Sequence, residues 1–532
     1  MSIKSVLRHH DPDSNTWPMT YSGGIRNDDG TINYSAQDIR LELQKVDAAY
    51  KGVLEIEKTI TTTLDCIEDE INVLHGNNDK LNKNLGALEK DLNDLRNSAV
   101  NALKASKTYT VGASGDYISL NAAIEDITKN YASYKKGGVV IELKLQKGFV
   151  MREQVLVRGI DLGFILITSE DTQVTIQRSS LVTPISDYNQ YPAFGALRGT
   201  LPMIGALFSM DTSGNGTDRD GVMVEGGFVT VLPGCGVKNA SYKGLFANRS
   251  GVVNAHESVF TDSGNDNAYA LNSSVINAFS ANFSGAKDRC VRANRASTIN
   301  VHSANLTNCK GEAAILATHG STINAYNTDC SNAAGNGAHA KHNCVINMRS
   351  SQMKNVKGCG VLAESSSIID ASSSTYENIT ESGAYALNSS TIDLRDSTIK
   401  NAGEYAVIAN RGSTISAHRA EMTGAKGESA VMAQHGSTIN AWGADLSGAA
   451  KTGLKALYAS NINAKNANLK NVKGKAVYSE DLSNIVASAC DFSDDAVIEV
   501  QRGANVTIFA TNEKLKLSQE INKLTRDGVI FQ

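Results

Sequence analysis

Two hydrophobic periods divide this chain. Between residues 39 and 102, apolar side chains recur every seven positions: Ile39, Val46, Val53, Ile60, Ile67, Leu74, Leu81, Leu88, Leu95 and Ala102. A companion seam runs Leu43, Tyr50, Glu57, Leu64, Ile71, Asn78, Leu85, Leu92 and Ala99. Spacing of this kind predicts a coiled coil, with the first set at d and the second at a. At 1.5 Å per residue it would be about 95 Å long. A lone helix cannot bury such a stripe, so partner helices are required. Asn78, a polar residue at an a position, is of the kind that sets register, and His75-Gly76-Asn77-Asn78 marks a weak point.

From about 229 to 510 the period changes to 23. The apolar anchor of Ser-Thr-Ile-Asn-Ala recurs at Val253, Ile276, Ile299, Ile323, Ile346, Ile369, Ile392, Ile415, Ile439, Ile462, Ile485 and Ile508, in steps of 23 or 24. Two residues after each anchor stands a second apolar site, among them Ala255, Ala278, Val301, Met348, Leu394 and Ala510. Seven after it comes a third, from Phe260 and Phe283 through Cys330 and Tyr376 to Phe492. A fourth follows at fifteen or sixteen: Val291, Ile315, Val361, Val407, Val431, Leu454 and Val477. Three short strands per period, with no helical stretch, describe one coil of a parallel β-helix. Eleven such steps at the strand spacing amount to about 53 Å of rod.

The remaining segments read as attachments to these two elements. Residues 1–34 form a polar head with His9, His10 and the turn-like Ser22-Gly23-Gly24, and the coil occupies 35–106. Residues 107–228 lead into the β-helix (229–510), with one amphipathic helix over 119–131 and strands over Val139–Leu145, Val155–Val157, Phe164–Ile167 and Val174–Ile176. Residues 178–220 hold three of the six prolines together with Tyr188, Tyr191, Phe194 and Phe208, which predicts an excursion from the scaffold. The tail, 511–532, is expected to close the rod with a capping helix at Leu515, Leu517, Ile521 and Leu524, then a strand at Val529–Phe531, because an open β-helix end is an unpaired edge.

Composition narrows the functional classes. Aromatic residues make up only 6% of the 532, so the core is built from Ala, Val and Ile. A net charge of −4 creates no global field for nucleic acid or an anionic membrane. No apolar run approaches the roughly 18 residues of a membrane span, and Met1 to Asn15 has no apolar signal-peptide core. The eight cysteines contain no CxxC pair and no zinc-ligand spacing, so free, mostly inward thiols are expected, with Cys330 replacing a core residue. No metal or cofactor is expected.

A polar head, a long heptad coil and a parallel β-helix together resemble bacteriophage tail spikes and tail fibres. The heptads at 39–102, the segment Gly115-Asp116-Tyr117-Ile118-Ser119-Leu120-Asn121-Ala122-Ala123-Ile124 and the 23-residue coils carry the resemblance. That segment is similar to the start of pectate-lyase-like right-handed β-helix domains. The resemblance implies a mainly β, right-handed parallel β-helix in a homotrimeric virion protein assembled in the host cytoplasm. It also implies attachment to other tail or baseplate proteins through the N-terminus and binding of host-surface polysaccharide. A structural or adhesive tail component is the leading expectation. The alternatives are a capsule or lipopolysaccharide depolymerase, hydrolase or lyase, on the same fold, and a bacterial adhesin.

Candidate chemistry follows the repeat. Polysaccharide hydrolysis needs two carboxylates about 5 to 9 Å apart, and Asp370 and Asp393 occupy equivalent positions in neighbouring coils. Other coils carry Asn there, so the aspartates also read as variants of a polar ladder. Glu312, Glu381, Glu404 and Glu428 read as solvated turn residues, and no single coil concentrates the cations and acids of a lyase. Three residues after the anchors, an outward stripe contains His256, Phe279, His302, Tyr326, Arg349, Arg395, His418, Trp442 and Lys465. Four before them stand Arg249, Arg295, His319, His342, Arg411, His435 and Tyr458. The first stripe can pack against sister subunits, bind a ligand by stacking and ion pairing, or be plain surface. His319 and His342 approach on adjacent coils but lack an evident third metal ligand.

Overall fold

The computed structural model describes residues 25–26, 32–34, 45, 48–49, 51–52, 55–56, 58–59, 62–63, 86–90, 103, 105–131, 138–185, 190–509 and 515–531. The chain separates into two units, 1–100 and 101–532. In the first, Ile25–Arg26 pairs antiparallel with Ile32–Tyr34. Its described residues between 45 and 90 are helical and exposed. The heptad seam positions, Leu88 excepted, lie outside the described residues.

The second unit is a parallel β-solenoid of about 17 turns. Its helix α1, Leu120–Asn130, is capped by the Ser119 side chain, which accepts the Ala122 N–H. Leu120, Ala123 and Ile127 face the core. Strands then return with every turn into long parallel sheets. The longest has 16 strands, from Val155–Arg158 to Lys516–Leu517, and a second has 14, from Phe228–Thr230 to Gly528–Phe531. The third face is discontinuous, with two- to four-residue strands such as Gln352–Lys354 and isolated bridges between them.

The 23-residue period works because each strand pairs with its counterpart one coil away. Val253, Ile276, Ile299, Ile323, Ile346 and Ile369 stand in direct register and are fully buried. The sites two and seven residues later are buried as well, from Ala255 and Phe260 to Ala487 and Phe492. Each enclosed Ile or Leu contributes about 1.5–3 kcal/mol, so the rod draws its stability from many equal layers. The register also runs beyond the expected anchors. Val229 pairs with Val253, extending the anchor column backward. At the far end Ile485 pairs with Val506, not Ile508, so that coil is shorter than 23, and Val506 then pairs with Ile530 in the last one.

Two other expectations are corrected. Residues 190–217 are a solenoid coil, not an excursion: Phe194–Leu197, Met203–Ile204 and Leu207–Met210 each join a sheet. Phe194 and Phe208 are buried edge to face in the core, 4.9 Å apart. Pro192 and Pro202 sit just before strands, where a missing N–H is tolerated. Their clustering hid the alternation of Phe194 with Ala196 and of Phe208 with Met210. The tail forms no helix among its described residues. Lys516–Leu517 joins the long sheet and Gly528–Phe531 the second, because edge strands there offer unpaired backbone groups.

The corner before the anchor strand holds a ladder that sequence reading did not identify. The Ser367 N–H donates to Ser390 Oγ at 3.1 Å, Ser390 to Ser413 at 3.1 Å and Ser413 to Ser437 at 3.1 Å. Cys344 takes one rung: the Ser321 N–H donates to its Sγ at 3.2 Å. These hydroxyls satisfy backbone donors that the turn would otherwise bury unpaired. All the described cysteines are free thiols, and all but Cys235 are buried.

Candidate functional site

The outward stripe after the anchors forms a rail along one corner of the rod. His256 and Phe279 stack with ring centroids 4.5 Å apart, and the Phe279 backbone N–H donates to His256 Nδ1 at 3.3 Å. Phe279 meets His302 at 4.8 Å, and His302 meets Tyr326 edge-on at 3.6 Å. Burial holds the His302 imidazole below its ordinary pKa, which favours the neutral ring. Phe279 and Tyr326 remain 42% and 43% exposed. Farther along, His418 lies 4.5 Å from Trp442, which is half-buried.

Between these ring sets the rail becomes ionic. Arg349 Nε donates to Asp370 Oδ2 at 2.6 Å, and Arg395 Nη2 lies 2.6 Å from Asp393 Oδ2. Asp370 and Asp393 are paired neighbours on adjacent strands, as their spacing in the sequence requires. Burial alone would raise the Asp370 pKa, but bonds from Arg349 and Ser372 outweigh it and hold the group ionised. An acid in that state is a poor proton donor for glycoside cleavage.

The other outward stripe falls at corners with positive φ, including Arg295, His319, His342, Arg411, His435 and Tyr458. His319 stacks on His342 at 4.9 Å and His435 on Tyr458 at 4.6 Å. Among the described residues no group of three His, Cys, Asp or Glu side chains could hold a metal.

The strongest electrostatic feature went unnoticed in the sequence. Asp220, Lys243, Asp266, Arg289 and Glu312 are spaced 23 apart and alternate in sign. Solenoid stacking brings them into one column where the chain enters the long sheet. Arg289 Nη1 lies 3.4 Å from Asp266 Oδ1, and its Nη2 lies 2.8 Å from Glu312 Oε2. Lys341 adds a 2.7 Å contact to Glu312 Oε1. Beside them, His339 Nε2 lies 3.3 Å from Glu364. The expectation that no coil concentrates such groups is corrected: Arg289 pairs with Asp288 in its own coil, and stacking adds Asp266 and Glu312 from the coils on either side. The reading of Glu312 as a solvated turn residue is likewise corrected, since it pairs with Arg289 and Lys341, whereas Glu428 stays 48% exposed beside Lys455.

Burial governs the charge states in this column. It pushes the fully enclosed Asp266 carboxyl up to about 6, against the pull of Arg289 and Arg292. It pushes His339 down to about 3, with Lys341 acting in the same direction. Burial would raise Glu312 too, but the hydrogen bonds from Lys341 and Arg289 together hold it at about 2. The aromatic faces of Tyr242 and Tyr269 flank the column, with Lys243 3.9 Å above the first and Arg292 4.5 Å above the second.

Residues 336–513 match the family model described as right handed beta helix region, and this part of the chain is a right-handed β-helix domain. No curated protein matches the sequence. Among solved structures, the chain is similar to a mutant of the periplasmic alginate epimerase AlgG at 9% identity and a TM-score of 0.27, over 65% of this chain and 83% of that one. It is also similar to tailspike protein 3 of bacteriophage CBA120, at 12% identity and a TM-score of 0.26, over 81% and 68%. An α-1,3-glucanase from Streptomyces thermodiastaticus shows 10% identity and a TM-score of 0.22, over 74% and 64%.

Proposed function

We propose that this chain is a structural and adhesive subunit of a bacteriophage tail fibre or tail spike that binds polysaccharide on the host surface. The observation that carries this reading is the regularity of the coils. From Val229 to Ile485 the anchors pair strand by strand without an inserted loop. A cleft that surrounds a glycan needs walls, and coils of constant length build none. Such a surface suits attachment along a rod, with rings and guanidiniums of the rail as stacking and pairing groups. The polar head and heptad array fit an attachment segment and a trimeric stalk.

A depolymerase is the second reading. It draws on the charge column, where Glu312, Glu364 and Lys341 are partly exposed around His339. Both readings are tested by incubating purified full-length protein with host cells and extracted surface polysaccharide. Saturable adsorption without release of reducing ends is expected. Release of oligosaccharides, lost in Asp370→Asn or in Glu312→Gln, would replace the adhesive reading with the enzymatic one. Immunogold labelling of virions tests placement in the tail, and label confined to the host cell envelope would sink it.

A further inference from the structure

Near the start of the solenoid, an open cavity of about 900 Å³ lies at the corner where the chain leaves the long sheet. Its size falls at the upper end of the roughly 300–1,000 Å³ typical of small-molecule sites. Arg158, Arg198 and Arg249 line it together with Glu225, Leu197, Pro184 and Ile185.

Its origin is readable in the register. Arg158, Leu197, Glu225 and Asn248 pair in succession at the end of the long sheet. The next residue in each coil, Gly159, Arg198, Gly226 and Arg249, turns the corner at positive φ. Farther along the rod, this corner column carries stacked rings such as His319 and His342. Here Gly226 carries no side chain between Arg198 and Arg249, which stand two strand spacings, about 10 Å, apart, and the Arg198 side chain leans over it, its Cγ 3.7 Å from where a Cβ would be. Nothing lies within 4 Å of where a Cβ on Gly159 would be. Pro184 and Ile185 border the space.

The lining is chemically unbalanced. Among the described lining residues, three guanidiniums face one carboxylate. Arg249 pairs with Glu225 Oε1. Among the described residues Arg158 reaches backbone carbonyls, of Pro184 at 3.4 Å and Ile185 at 3.5 Å. Among the described residues Arg198 meets no acid. Glu225 is itself only 2% exposed, and its Oε2 has no hydrogen-bond partner among the described residues. A buried carboxylate oxygen without a donor is costly, and a ligand hydroxyl would satisfy it once the Glu225 side chain turns toward the cavity.

We infer that this cavity binds a carboxylate-bearing sugar unit of an acidic polysaccharide. Arg198 and Arg158 would take the carboxylate, Glu225 Oε2 would accept a hydroxyl, and Leu197 and Ile185 would lie against the ring C–H face. A neutral sugar leaves the guanidiniums unused. A bare phosphate places like charges together at Glu225 and has no ring face for Leu197 and Ile185. The inference rests on the glycan-binding reading and names its substrate class.

The test uses full-length protein and titration calorimetry with a panel of oligosaccharides carrying one carboxylate per unit, their methyl esters, and inorganic phosphate. Acidic oligosaccharides should bind, and their esters about tenfold or more weakly, as expected from losing charge-assisted bonds. Arg198→Gln, at an exposed position, should keep the melting temperature and weaken the acidic ligand about tenfold without changing the ester. Equal affinity for acid and ester, an unchanged Arg198→Gln, phosphate binding as tight as the acidic sugar, or no binding at all would each overturn the assignment. Host adsorption separates the two levels. Adsorption kept in Arg198→Gln but lost in Phe279→Ala would remove this site and leave the adhesive reading standing. Adsorption lost in neither would remove both.

Discussion

Arg289 and Glu312, one coil apart, share a 2.8 Å Nη2–Oε2 contact that closes a ladder of alternating charge beginning at Asp220. The pair is partly enclosed, so removing one member leaves the other short of a partner. Glu312→Gln is expected to cost about 1–3 kcal/mol in chemical denaturation at pH 7. Because the folded Glu312 pKa lies near 2, below its unfolded value, its contribution is complete above about 4.5 and is lost as pH falls toward 2. Wild type and Glu312→Gln should therefore converge in stability on acidification. A difference that stays constant from pH 7 to pH 2.5 would contradict this account.

His339 shows the same proton preference as Glu312, over a window that begins at higher pH. Its folded pKa is near 3, and an unfolded imidazole titrates near 6.5. The unfolded chain therefore binds the proton first, and stability falls as pH drops from about 6.5 toward 3, by up to about 1.4 kcal/mol per pH unit. Asp266 opposes this between about 6 and 4, since its raised pKa makes the folded state the stronger proton acceptor. His339→Gln should lose less stability than wild type between pH 7 and pH 4. Equal losses in thermal melts would refute the assignment.

The serine ladder yields a paired prediction. Ser390→Ala strips the acceptor from the Ser367 N–H and should destabilise by about 1–3 kcal/mol. Cys344→Ser places a better acceptor in the same rung, so it should be neutral or stabilising by up to about 1 kcal/mol. Melting temperatures of the two variants decide the point, and a destabilised Cys344→Ser would show that sulfur packing outweighs the hydrogen bond.

The ring rail separates binding from folding. Phe279→Ala removes an exposed ring from the His256–Phe279–His302 stack. Host adsorption should fall about tenfold, in keeping with the value of aromatic and cation–π contacts, while the oligomer persists. Dissociation of the oligomer would instead assign this rail to subunit packing.

The oligomer is expected to be a parallel trimer held by the heptads at 39–102. Light scattering on the full chain should give three times the 56.6 kDa chain mass. A monomer, or an antiparallel dimer, would remove the stalk from the proposal.

Much of the solenoid was legible in one dimension because each coil meets its copy 23 residues away. A repeated Ile therefore fixes a strand, its inward face and its register together. The anchors, the alanines two residues later and the larger residues seven later all occupy buried layers for this reason. The coil at 190–217 escaped notice because its prolines masked a two-residue alternation. The expected tail helix failed because apolar spacing at 515–524 cannot report the sheet edges waiting there. The alternating ladder from Asp220 to Glu312 was present at the same period, but sign is a weaker signal than hydrophobicity. Only stacking turns it into ion pairs. The cavity beside Glu225 was beyond sequence reading altogether. It arises where Gly226 falls between Arg198 and Arg249 across three turns, and the depth that enters a pKa or a pocket belongs to the folded coil, not to the order of its residues.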